Sequence, residues 1–252
     1  MSGACNTMLR RLALGIYLAT TIIAVAWADG SDECLQSKDH QLSIKACGEL
    51  IAGKQATALI YNRRGEAYRG TQQLDLAIAD HTKAIELAPD EPAGYNNRCA
   101  TRTQAGDFDG ALADCDKAIQ VNPGYVSAYF NRGIANERKG NYDQSIADHG
   151  KAIELNPKYA RAYNARAWTF YKAGKAALGL ADVEQALQLA PENGAALDTR
   201  AHILEAMGKK KEAIEDYRKA LAADPSLTDS AEALKRLEGK KAADSKRAKG
   251  KS

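Results

Sequence analysis

Residues 126–159 read VSAYFNRGIANERKGNYDQSIADHGKAIELNPKY, and the same 34-residue pattern recurs at 58–91, 92–125, 160–193 and 194–227. Pro89, Pro123, Pro157, Pro191 and Pro225 mark the period, so the fold is decided by a repeat before any single residue is considered. With each copy numbered 1 to 34 and the proline at 32, position 27 is always alanine: Ala84, Ala118, Ala152, Ala186 and Ala220. Position 4 carries Tyr61, Tyr95, Tyr129, Tyr163 and Leu197, and position 8 stays small as Gly65, Cys99, Gly133, Ala167 and Ala201. Apolar sites at 4, 8 and 11, then at 20, 21, 24, 27 and 28, have helical spacing. Between the two sets lies a turn containing glycine at Gly106, Gly140, Gly174 and Gly208. Each copy is therefore an antiparallel helix pair. The proline disfavours helical geometry at residue 31 of the copy and ends the second helix.

A period of 34 with an aromatic at 4, small residues at 8, alanine near 20 and 27 and proline at 32 resembles the tetratricopeptide repeat. The resemblance implies an all-α solenoid, a right-handed superhelix of antiparallel helix pairs whose first helices line a concave face that binds peptides or proteins. It assigns residues 58–91, 92–125, 126–159, 160–193 and 194–227 to five repeats. Independently of the resemblance, one helix pair cannot bury its own apolar face and needs neighbours.

In the family the concave face is built from positions 2, 5, 9, 12 and 13. Transferred to this chain, those positions give Asn62, Asn96, Phe130, Ile134, Arg138, Arg161, Asn164, Trp168, Tyr171 and Lys172 as the expected partner-binding residues. Phe130, Ile134, Trp168 and Tyr171 form an expected apolar patch bordered by Arg138, Arg161 and Lys172, the residue types that anchor interfaces. The expected partner is a peptide or protein segment with apolar side chains and an acidic group. The two-carboxylate clamp of chaperone-tail-binding members is not reproduced, because position 5 includes Phe130 and Asp198 and position 9 begins with Glu66.

The flanks differ from the repeats. Arg10-Arg11, an apolar run over residues 12–25 and Ala26-Trp27-Ala28 before Asp29 match a signal peptide at 1–28, cleaved after Ala28, with Met1 or Met8 as the start. The expectation is an exported protein, periplasmic or secreted, with no integral membrane span after cleavage. Residues 29–57 read as a degenerate half-repeat with one helix over 39–52, and 228–238 as a C-terminal capping helix. Residues 239–252 carry six basic side chains and one acidic, and are expected to be a disordered basic tail. Without residues 1–28 and this tail the chain has 27 basic and 31 acidic residues, which speaks against a nucleic-acid partner. Attachment to anionic surfaces through the tail, with self-association, is the alternative reading.

Export gives the cysteines meaning, since Cys34, Cys47, Cys99 and Cys115 are an even number in an oxidising compartment. Cys99 and Cys115 occupy positions 8 and 24 of one repeat, and Cys34 and Cys47 positions 11 and 24 of the degenerate unit, so both pairs are expected to be disulfides. Position 7 is Arg64, Arg98, Arg132, Arg166 and Arg200, and position 23 is Asp80, Asp114, Asp148, Asp182 and Asp216. Two helix faces that usually meet through apolar contact thus carry opposite charges, which predicts a ladder of Arg–Asp pairs within the repeats. Asp80-His81 and Asp148-His149 resemble catalytic fragments but are simply positions 23 and 24 repeated, and repeats stacked about 8 to 10 Å apart cannot share a metal among them. His202 stands apart and alone. With no phosphate-binding loop, nucleophile elbow or zinc-protease motif, the sequence predicts no enzyme, no cofactor and no metal.

Overall fold

The computed structural model describes residues 31–249, which are helical with short connections. The predicted signal peptide lies outside the described residues. The chain divides into two compact units, one ending at Asp107 and one beginning at Phe108. The first holds α1 (residues 31–36), α2 (His40–Ala52), α3 (Ala58–Gly70), α4 (Leu74–Leu87) and α5 (Pro92–Ala105). The second holds α6 (Phe108–Val121), α7 (Val126–Lys139), α8 (Tyr142–Leu155), α9 (Ala160–Lys172), α10 (Ala176–Leu189), α11 (Gly194–Ala206), α12 (Lys210–Ala223) and α13 (Thr228–Lys249). Among the described residues no helix is long and apolar enough to cross a membrane.

Helices pair as the repeat demands: α3 with α4, α7 with α8, α9 with α10 and α11 with α12. The corner inside a pair is a left-handed residue, with φ of 84° at Gly106, 88° at Gly140, 73° at Gly174 and 78° at Gly208. Glycine adopts that geometry without steric cost. The first repeat makes the same corner with Gln72 at φ 63°, which explains why its turn was not visible as a glycine. The position-27 alanines Ala84, Ala118, Ala152, Ala186 and Ala220 are all buried. Side chains this small let neighbouring backbones approach closely.

Positions 8 and 24 face each other as complementary volumes. A Cβ placed on Gly133 would lie 2.5 Å from His149 Cε1, and one on Gly65 would lie 2.6 Å from His81 Cε1. Where position 8 is alanine the partner differs, as in Ala167 with Val183 and Ala201 with Tyr217, all fully buried.

Both ends depart from expectation. The lone N-terminal helix predicted over 39–52 appears as α2, capped by Asp39, whose carboxylate accepts from the Gln41 and Leu42 amides. It is accompanied by α1, which the Cys34–Cys47 disulfide fastens to it, and Ser43 Oγ donates to the Cys34 carbonyl at 3.0 Å. At the C-terminus α13 does not stop at Glu238 but continues to Lys249, so most of the tail expected to be disordered is helical. The reason is local: residues 240–249 are lysine, arginine, alanine, serine and aspartate with no proline, and the single Gly239 costs only about 1 kcal/mol. The start of α13 docks on α11 and α12, where Ala233 and Leu237 pack with Ala201, Leu204, Ala213, Ile214 and Tyr217.

Candidate functional site

Four rungs of the predicted ladder are formed. Arg64 Nε and Nη2 donate to the two Asp80 carboxylate oxygens at 2.7 and 2.8 Å, Arg166 to Asp182 at 2.7 and 2.7 Å, and Arg200 to Asp216 at 2.6 and 2.9 Å. Arg132 donates to Asp148 from Nη2 at 2.5 Å and from Nε at 3.0 Å, while Asn136 Nδ2 supplies another bond at 3.0 Å. The aspartates are buried and the arginines about three-quarters so, which makes these charge-assisted, two-pronged bonds structural. The Asp80 hydrogen bond more than offsets burial and holds Arg64 above its ordinary value. Arg98 and Asp114 fall in different units, and Arg98 Nη1 donates to Thr82 Oγ1 at 3.0 Å. Cys99 and Cys115 likewise fall in different units, and each is fully buried.

The remaining polar groups at positions 5 and 24 belong to the interior. Asn62 is buried with Oδ1 3.1 Å from His81 Nδ1, and Asn96 is buried too, so neither offers a side chain to a partner as the register transfer predicted. Burial first, then the charges of Arg69 and Arg98, lowers His81 to about 3. Burial and Arg166 lower His149 to about 4. Both are neutral core rings, as the repeat register implied. Asn164 is half-buried, and its Oδ1 is enclosed without a hydrogen-bond partner.

The predicted aromatic patch splits in two. Phe130 is only 5% exposed and belongs to the core with Ala152, Ile153 and Ala162, so its assignment to a binding surface is corrected. Its ring packs on Tyr159 at 5.1 Å and His149 at 5.6 Å, and the Arg161 guanidinium covers it at 4.9 Å. Ile134 packs against the same cluster, which leaves Arg138 exposed at its edge. An aromatic at position 5 is large enough to reach the seam between adjacent helix pairs, and its burial there is worth more than exposure.

Trp168, Tyr171 and Lys172 behave differently. They line a groove of about 1020 Å³ in the second unit, together with Tyr142, Leu178, His202, Met207 and Asp229. Leu178 is 62% exposed and Met207 37% exposed, large apolar side chains left open at the groove. Trp168 and Tyr171 stack with ring centres 5.2 Å apart, and each meets His202 at 5.5 Å. His202 in turn packs edge-on against Tyr217 at 5.1 Å. The histidine that looked solitary in the sequence is therefore the hub that joins three other rings. Its Nδ1 lies 2.9 Å from the Asp198 carbonyl and 3.3 Å from the Asp198 carboxylate. Burial pulls the His202 pKa down, but these Asp198 contacts and the charge of Glu205 outweigh it, and the net shift is upward. Ser230 of α13 also donates to the Asp198 carboxylate.

The groove continues toward α13 as a second hollow of about 610 Å³ lined by Tyr171, His202, Glu205, Asp229, Glu232 and Arg236, among others. Glu205 accepts from Arg236 Nη2 at 2.6 Å and from Tyr217 Oη at 3.1 Å. Sequence reasoning missed His202 and Glu205, although the register contained them: they are positions 9 and 12 of the fifth repeat. Among the described residues no group of three His, Cys, Asp or Glu side chains could hold a metal ion.

Comparison with known proteins agrees with this geometry. Tetratricopeptide repeat family models match residues 58–91, 126–159 and 194–227, and a TPR repeat model matches residues 100–140. Human serine/threonine-protein phosphatase 5 is 31% identical over 78 residues, which cover 31% of this chain and 16% of the phosphatase, so the match spans about a sixth of that protein. A tetratricopeptide repeat protein from Parabacteroides merdae superposes with a TM-score of 0.70 at 23% identity, covering 85% of this chain and 84% of its own. The thermophilic TPR protein TTC0263 of Thermus thermophilus superposes with 0.63 at 21% identity, over 72% of this chain and 98% of its own. YrrB, described as a TPR protein with an unusual peptide-binding site, gives 0.53 at 17% identity over 76% of this chain and 99% of its own. Such likenesses establish the fold alone, an all-α tetratricopeptide solenoid. The repeat period, the helix pairs and the matched models together place this chain in the tetratricopeptide repeat family.

Proposed function

We propose that the protein is a non-enzymatic scaffold, exported to the periplasm or secreted, that holds an extended segment of a partner protein in the groove lined by Trp168, Tyr171 and His202. The observation that carries this reading is the pair of exposed apolar side chains, Leu178 and Met207, beside the half-buried rings of Trp168 and Tyr171 in one groove. Large aromatics held rigidly by one another lose little entropy on binding and supply most of the contact area. Peptide binding in the structural neighbour YrrB is in keeping with this use of the fold. The supporting sequence for export is the 1–28 segment, and the predicted disulfides fit the same compartment.

The test is capture of partners from envelope extract by the full chain, by Trp168→Ala and by a chain truncated after Glu238. A partner lost with Trp168→Ala and retained by the truncation supports the groove. Loss confined to the truncation favours the second reading, attachment of a self-associating component to anionic surfaces, for which the helical basic extension of α13 speaks. Amino-terminal sequencing of the protein recovered outside the cytoplasm tests export, with Asp29 as the expected first residue.

A further inference from the structure

We infer that the part of this groove between α11 and α13 receives a lysine or arginine side chain of the bound segment, next to an apolar side chain held by Leu178, Met207 and Trp168. The inference rests on the groove reading above and names the chemistry of its occupant. It reverses the acidic partner expected from Arg138, Arg161 and Lys172, because Arg161 is committed to the face of Phe130.

The charges around the second hollow are unequal. Glu205, Asp229 and Glu232 contribute three carboxylates and Arg236 one cation. Arg236 is matched by Glu205, whose other oxygen accepts from Tyr217, so that pair is internally satisfied. Asp229 and Glu232 remain, exposed, three residues apart on one face of α13 and on the rim of the same hollow. Asp198 adds a further carboxylate behind His202, held by Ser230. The ring of Tyr171 lines the same hollow, and an aromatic face beside carboxylates suits a long cationic side chain whose methylenes lie on the ring. Arg236 already places one guanidinium at this hollow, against the Glu205 carboxylate. At the other end of the groove Lys175 is paired with Asp143 at 3.1 Å, so Lys172 is the principal cation there. In an extended segment side chains two residues apart share a face, about 7 Å apart, which sets the spacing of the apolar and basic side chains in a probe.

The experiment uses the full chain and three fluorescein-labelled, capped heptapeptides of serine carrying one leucine, and two residues later either arginine, glutamate or norleucine. Anisotropy titrations at low ionic strength are expected to give a preference of about tenfold for the arginine probe over the glutamate probe. That preference should shrink toward parity in 1 M salt, as expected for exposed charges. The double variant Asp229→Asn/Glu232→Gln should lose it while still binding the norleucine probe, and its unchanged helical circular dichroism would show that it folds. Equal or tighter binding of the glutamate probe overturns the inference. Binding of all three probes alike, abolished by Trp168→Ala, overturns the inference and leaves the groove reading standing. No binding of any probe at millimolar concentration overturns both. Dimers broken by Trp168→Ala, with no probe bound, would place a second copy in the groove and overturn the inference as well.

Discussion

Replacing Gly133 by alanine should destabilise the protein only as long as His149 is present. The new Cβ would sit 2.5 Å from Cε1, 2.7 Å from Nδ1 and 2.9 Å from Nε2, so it meets the ring and not the tip of a flexible side chain. The ring is buried and has Phe130 packed at 5.6 Å, which limits its retreat. Overpacking of this kind costs about 1–3 kcal/mol, against which alanine recovers about 1 kcal/mol of helix propensity relative to glycine. The net loss in Gly133→Ala is therefore about 0–2 kcal/mol. In a His149→Val background the clash is gone, the pair reproduces Ala167 and Val183 of the next repeat, and the same change should stabilise by about 1 kcal/mol. The difference between backgrounds, about 1–3 kcal/mol, is the quantity to measure, by urea unfolding of the four proteins followed by circular dichroism. Repeat proteins need not unfold in one step, so the midpoints and slopes of all four curves are compared. If the two substitutions add to within about 0.5 kcal/mol, positions 8 and 24 do not constrain each other and the volume argument is wrong.

The ladder predicts an asymmetry around Arg132: Asp148→Ala should cost about 3 kcal/mol by stranding a largely buried guanidinium, whereas Asp116→Ala, at an exposed carboxylate 2.7 Å from the same arginine, should cost under about 1 kcal/mol. Equal thermal shifts for the two variants would contradict it. His81 and His149, lowered to about 3 and about 4 in the folded state, bind fewer protons folded than unfolded, so stability should fall as pH drops below 6.5. Each should lose about 1.4 kcal/mol per pH unit between pH 6 and 5, and His149→Val should remove one such increment from the slope of unfolding free energy against pH. His202, shifted upward, acts in the opposite sense, adding stability that is complete below pH 6.5 and lost as pH rises through its folded value. Intact mass after alkylation should show no modified thiol among Cys34, Cys47, Cys99 and Cys115 before reduction and four after it. Removing the Cys34–Cys47 bond, which closes a 13-residue separation, should cost about 3 kcal/mol, read as faster amide exchange in α1 and α2.

The 34-residue period carried most of the fold into view, because proline, glycine corner and position-27 alanine each have one local geometric role that tertiary packing does not override. The Arg–Asp rungs were legible for the same reason: a charge placed at two facing helical positions has few other partners. What the sequence did not reveal depends on the size of a side chain relative to a seam. Phe130 occupies a position expected to face a partner, yet its ring is long enough to turn into the core under Arg161. His202 lacked any sequence neighbour to suggest a site, and only the stacking of α9, α11 and α12 brings Trp168, Tyr171 and Tyr217 around it. The length of α13 was missed because nothing in residues 240–249 forbids a helix and a basic composition was read as disorder.

Each position-7 arginine has a second arm, directed at position 25 of the repeat before it, and what stands there varies. Arg132 meets Asp116 at 2.7 Å and Arg98 meets Thr82 at 3.0 Å, while Glu184 adds a favourable charge for Arg200. Arg64 and Arg166 find glycines instead, Gly48 and Gly150, where even an added Cβ would be 3.8 and 3.4 Å from Nη1. Mechanically, a common hinge design is thus fitted with unequal latches. Under tension the joint behind Arg166 has no catch at position 25 and relies on the Ser145–Thr169 hydrogen bond and the Asp143–Lys175 ion pair, both at 3.1 Å, whereas the one behind Arg132 must also break the Asp116 ion pair, whose strength falls with salt. Position 25 is therefore one place where the joints of the second unit differ in how firmly they are latched, so a partner that needs the groove to flex meets joints of unequal stiffness.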